Sequence, residues 1–248
     1  MKLVHWSFHA VLICGIASLL GMPALARPIQ GADSVTIRAE YGVGNSRELQ
    51  LFYSPRPFWS VGAGHMTLET DAANAHEVTY ARLNFLAKRW NFEDAQANVF
   101  VWGGVGSAYF GAITVRPDAP DQPSSGHDHG PPPGEVAIRY PAFREAAWNA
   151  GGQIDYETLR FYSSLRTDTH RADTFEHRVD TLQVGFSPYE HEVDSLSTWL
   201  IVSGRRYTGH ALEGEELALL LRLFRKNAWL EAGATTDGEI RAMAMFSF

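Results

Sequence analysis

The amino-acid sequence predicts an all-β protein: a closed antiparallel transmembrane β-barrel of about twelve strands, within a range of ten to fourteen. Three observations predict it. The N-terminus is patterned for export, alternation of apolar and polar residues recurs with period two down to the last residue, and no later apolar run is long enough for a membrane-spanning helix.

The export signal comes first. Lys2 precedes an apolar run from about Ala10 to Leu20, and Ala24 and Ala26 bracket Leu25 in the small-x-small arrangement that signal peptidase cuts. Residues 1–26 therefore read as a cleaved signal peptide, leaving 27–248 as one domain. A transmembrane anchor would need roughly 20 apolar residues, more than this run supplies. The single cysteine, Cys14, lies inside the signal, and Ile13 stands before it where a lipidation site wants a small residue. The mature chain then has no disulfide, and packing and backbone pairing must hold it. The full chain carries a formal net charge of −7, and losing the signal, with Lys2 its only charged side chain, makes it more negative. An acidic chain without a basic patch excludes a nucleic-acid partner.

The predicted strands follow in order. The first, 35–42, places Val35, Ile37, Ala39 and Tyr41 on one face and Thr36, Arg38 and Glu40 on the other, because a strand points successive side chains to opposite sides. The turn residues Gly44, Asn45 and Ser46 lead to 47–54, and Pro55, Arg56 and Pro57 to 58–70. Strands at 76–91 and 96–110 form the most distinctive stretch, with Gly103, Gly104 and Gly106 suited to curvature or close approach and Trp90 and Trp102 suited to interfacial aromatic belts. A long Pro/Gly/His-containing loop, 111–142, comes next. Beyond it lie 143–156 and 158–170, where Phe161, Ser163 and Leu165 alternate with Tyr162, Ser164 and Arg166. Strands at 177–187, 195–205, 215–225 and 227–234 follow, and the turn at 235–238 leads into 238–248.

That last segment, GEIRAMAMFSF, aligns Ile240, Ala242, Ala244, Phe246 and Phe248 on one face. In this it resembles bacterial outer-membrane β-barrel proteins, whose final strand alternates apolar residues and ends in Phe. The resemblance implies an outer-membrane location, contact with outer-membrane lipid, and Phe246 and Phe248 as part of the signal read by the barrel-assembly machinery. Independently, a closed barrel is the β architecture that satisfies every backbone polar group in lipid, whereas a soluble periplasmic sandwich would need no such closure.

With apolar faces toward lipid, the lumen receives Arg38, Glu40, Glu48, Arg82, Lys88, Arg160, Arg166, Arg222, Glu231 and Arg241. Opposite charges crowded together would pair, so the lumen is expected to be largely blocked rather than an open pore. A narrow channel for small solutes is the alternative.

An even strand number puts both termini in the periplasm and makes 111–142 extracellular. His127, Asp128 and His129 fall in that loop and His210 in another outer loop, while His76, His170 and His177 lie near the same rim and His65 is expected in the lumen. Imidazole and carboxylate suit divalent copper or zinc, so these outer-loop residues are candidate metal ligands, although a closed site wants three or four. The competing explanation is a disordered Pro/Gly/Ser-rich loop. An enzyme is not expected. Outer-membrane lipases and deacylases use a His-x-Ser pair on one strand, and here the nearest match is His65-Met66-Thr67, with threonine in place of serine. Outer-membrane proteases pair Asp with Asp-His at the rim, which Asp168 and His170 match only in proximity along the chain.

Overall fold

The computed structural model describes residues 29, 31–69, 75–111, 113–115, 138–190, 195–209 and 212–248. They form fourteen strands: β1 (Ser34–Tyr41), β2 (Arg47–Arg56), β3 (Trp59–Glu69), β4 (Ala75–Asn91), β5 (Ala95–Phe110), β6 (Ile113–Val115), β7 (Ile138–Tyr140), β8 (Phe143–Thr158), β9 (Phe161–Arg171), β10 (Glu176–Phe186), β11 (Ser197–Gly209), β12 (Gly214–Arg225), β13 (Ala228–Thr235) and β14 (Ile240–Ser247). Twelve of them close into an antiparallel barrel. β6 and β7 pair only with each other, a short ribbon in the long connection that the sequence pattern did not predict.

Consecutive strands pair throughout, except that β5 meets β8 across the β6–β7 excursion. The barrel closes where β1 meets β14, with Thr36 opposite Ser247 and Tyr41 opposite Ala242. The amide of Val35 donates to the Phe248 carbonyl at 2.7 Å and that of Phe248 to the Val35 carbonyl at 3.0 Å, so the last residue helps to seal the wall. Both ends of the described chain therefore meet at one end of the barrel, here the terminal end. The 42–46 turn and the junction where Phe110 stands opposite Phe143 lie at the other, the loop end.

Alternation decides which side chain faces where. On β2, Leu49, Leu51 and Tyr53 are exposed while Gln50, Phe52 and Ser54 are buried. On β12, Leu217, Leu219 and Leu221 are exposed while Ala218, Leu220 and Arg222 are buried. The pattern is the inverse of a soluble protein's: leucine, isoleucine and valine coat the outside and charge lines the inside, the distribution expected when the surrounding medium is hydrocarbon. Around the terminal end, Tyr53, Phe58, Trp90, Phe161, Phe186, Tyr189, Phe246 and Phe248 add exposed aromatic rings. Toward the loop end of β10–β12 the exterior turns polar, with Asp180 opposite Arg206 and Arg206 opposite Glu215.

Four expectations about facing require correction. Lys88 lies outside, its ammonium 5.7 Å from the Trp90 ring, because a bulge moves the register from Leu86↔Phe100 to Lys88↔Val99 and turns Arg89 inward instead. Trp102 is buried in the lumen and not in an interfacial belt. His65 faces outward, since Met66 and Leu68 of the same strand take the inward positions, and its Nδ1 lies 2.9 Å from Thr79 Oγ1. Arg160 sits in the exposed β8–β9 turn, where its guanidinium donates to the carbonyls of Ser187 and Pro188 instead of entering the lumen.

Candidate functional site

The lumen is filled in layers. Toward the terminal end, β9 and β11–β14 contribute an apolar cluster of Tyr162, Trp199, Ile201, Ala218, Leu220, Phe224, Trp229, Met243 and Met245. Across from it, Ile29 of the N-terminal segment packs against Phe100 and Trp102. Nearby, β4, β5 and β8 supply a polar network in which Arg89 donates to Asn98 at 2.7 Å and Asn98 to Asp155 at 2.6 Å. At the loop end a second apolar cluster, including Met66, Leu68, Val78 and Phe110, is capped by Phe175 from the β9–β10 turn.

Between these layers lies a charged chamber of about 120 Å³, room for several water molecules. Its walls include Arg38, Glu40, Glu48, Arg166, Asp168, His170, His177, Thr181, Gln183, Arg205 and Arg222. It reaches Ser46, Arg47 and Leu212 at the loop end, and Tyr162, Glu231 and Met243 on its terminal side.

Ion pairs brace the walls. Glu40 accepts from Arg38 beside it and from Arg205 of β11. Since β1 and β11 are not neighbours, the Glu40–Arg205 bridge crosses the lumen. Asp168 accepts from Arg82 at 2.9 and 3.2 Å, from Arg166 at 2.7 Å and from the Trp102 indole at 3.1 Å. Arg82 also donates to Asn149 at 2.8 Å and lies over the Tyr80 ring, 4.6 Å from its centroid. Arg222 donates to Glu231 at 2.7 Å and to Gln183 at 3.1 Å, sandwiched by the Tyr162 and Trp229 rings at 4.9 and 4.5 Å. Arg241 pairs with Glu216 at 2.8 Å and Ser203 at 3.1 Å.

Glycines make this packing possible at two points. A Cβ at Gly64 would lie 2.3 Å from the Tyr80 ring, so glycine there lets Tyr80 lean across β3 and donate to Glu48 at 2.5 Å. A Cβ at Gly151 would lie 2.5 Å from the Trp102 indole nitrogen, the atom that holds Asp168. Both are sites of close side-chain approach.

Of the sequence-predicted lumen charges, Arg38, Glu40, Arg82, Arg222 and Arg241 all enter this bracing. Asp168, His170, His177 and Arg205 belong to the same chamber. His170 and His177 are directly opposed across β9 and β10, a pairing set by register that neither local spacing nor residue type announces. The candidate metal ligands His127, Asp128, His129 and His210 lie outside the described residues. Among the described residues no group of three or more His, Cys, Asp or Glu is arranged to hold a metal ion. Phe246 and Phe248 stand on the outer face at the terminal end, their ring centroids 5.7 Å apart.

No family model matches the chain, and no curated protein matches it. Among solved structures, it is similar to LpxR from Salmonella typhimurium at 11% identity, over 87% of this chain and 99% of that chain, with a TM-score of 0.42. That similarity assigns no role to any residue here.

Proposed function

We propose that the protein is an outer-membrane β-barrel that admits a small polar solute into a blind lumenal chamber from its loop end and does not conduct across the membrane. The observation that carries this reading is the charged chamber of about 120 Å³ that stops at Tyr162, Glu231 and Met243, with Trp199, Trp229 and Phe224 packed in the cluster toward the terminal end. A channel would need a continuous hydrated path. The outward leucine, valine and isoleucine coat supports insertion in lipid, as does the predicted export segment. In this reading the terminal strand, with Phe246 and Phe248, is the element recognised by the barrel-assembly machinery, and the loop end faces the cell exterior.

Substituted-cysteine labelling tests the reading, since the only native cysteine is Cys14. In liposomes, a water-soluble maleimide added on the loop side should label Thr181→Cys in the chamber. It should leave Ile201→Cys in the terminal seal and Leu219→Cys on the outer belt unlabelled. Equal labelling of Thr181→Cys and Ile201→Cys would reveal a continuous pore, and rapid labelling of Leu219→Cys would place that face in water.

A further inference from the structure

Hydrogen-bond donors and acceptors do not balance in the chamber. All four of its carboxylates are engaged: Glu40 by Arg38 and Arg205, Glu48 by Tyr80, Asp168 by Arg82, Arg166 and Trp102, and Glu231 by Arg222. Five nitrogens on chamber-wall residues are buried without a hydrogen-bond partner among the described residues: Arg38 Nε, Arg205 Nε, Arg222 Nη1, His170 Nδ1 and His177 Nδ1. No side-chain acceptor on the described chamber-wall residues is left in that state. His170, His177 and Arg222 are at least nine-tenths buried, and the open space beside them is the chamber.

Geometry also favours one tautomer of His170. Its Nε2 lies 3.3 Å from Arg82 Nη2, which can only donate, so Nε2 accepts. The neutral ring must then carry its hydrogen on Nδ1, the atom with no partner. The surplus on the chamber wall is therefore of N–H groups, three on guanidiniums and one on His170, with His177 able to add another.

We propose that the chamber is a binding site for a small anion, of the size of inorganic phosphate or a short dicarboxylate, held by these N–H groups. An oxyanion offers several acceptor lone pairs in a compact volume and makes charge-assisted hydrogen bonds with guanidinium, which a neutral solute does not. The existing carboxylates set the selectivity: they neutralise most of the arginine charge, so the site discriminates by directed N–H groups and not by bulk potential.

This inference rests on the chamber reading above, and its test separates the two. The detergent-refolded full barrel is titrated calorimetrically, at constant ionic strength, with inorganic phosphate, succinate and glucose. Saturable binding of phosphate or succinate but not glucose is expected, weakened at least tenfold in His177→Phe. Thr181→Leu, which fills the chamber without removing any ion-pair partner, should weaken it comparably and serves if His177→Phe misfolds. Which of the two anions binds identifies the anion class. If glucose binds and neither anion does, or if nothing binds while Thr181→Cys is still labelled from the loop side, the chamber stands and the anion assignment falls. If Thr181→Cys is not labelled, the chamber reading itself falls. Anion binding of equal strength in wild type and both folded variants would place the anion elsewhere and overturn the proposal.

Discussion

The two halves of the lumen use the same inward-facing strand positions for opposite purposes. Toward the terminal end of β11–β14, the positions of Trp199, Ile201, Leu220, Phe224, Trp229 and Met245 hold apolar side chains that interlock and exclude water. Further along β11, β12 and β14, Arg205, Glu216 and Arg241 occupy the equivalent positions, and the Arg222–Glu231 pair lies at the level of Trp199 where the two halves meet, so the packing becomes a lattice of ion pairs around a cavity. Strand alternation sets only which residues turn inward. Residue type along the barrel axis then decides whether the interior is a seal or a site.

The charged half is most vulnerable at Asp168, which holds Arg82 and Arg166 at once. Asp168→Ala leaves two guanidiniums without their shared carboxylate, and it is expected to cost about 3–5 kcal/mol of stability, measured as a lower urea midpoint for the refolded barrel. At the seal, Trp199→Ala removes one of the largest fully buried side chains and should cost about 3 kcal/mol by the same measurement. It should also admit ions, which the charged half by itself does not prevent. On the outer face, Leu219→Arg is expected to cost about 2–4 kcal/mol in a bilayer, provided that the Leu219 position lies near the midplane, and much less in a short-chain detergent. The smallest effect is expected at the exposed Arg178–Asp180 pair, where Asp180→Ala should shift the midpoint by less than about 0.5 kcal/mol.

The sequence made the barrel legible because alternation in segments such as 35–42 and 158–170 needs no tertiary information. The mid-lumen charges Arg38, Glu40 and Arg222 could be read in the same way. The rest depends on events that alternation does not encode. The extra residue at the β4 bulge reverses inside and outside within one strand, which moves Lys88 out and Arg89 in. Trp102 suits either an interface or a lumen, and what places it is its fit against Gly151 on the neighbouring strand. His170 and His177 are seven positions apart in sequence, and only the register across the β9–β10 turn sets them face to face. The glycine-rich stretch Gly103, Gly104 and Gly106 signalled close approach, and the structure gives the reason at Gly104, where a Cβ would meet the Ala81 carbonyl at 1.9 Å.

Whether the lumen is sealed toward the terminal end beneath a charged chamber is read most directly from the conductance of single refolded barrels in a planar bilayer. Wild type is expected to show no steady ionic current, and the double variant Trp199→Ala/Trp229→Ala to show discrete open levels. A steady ohmic current through the wild-type barrel, unchanged in the double variant, would mean that the lumen is open and that Trp199 and Trp229 do not seal it.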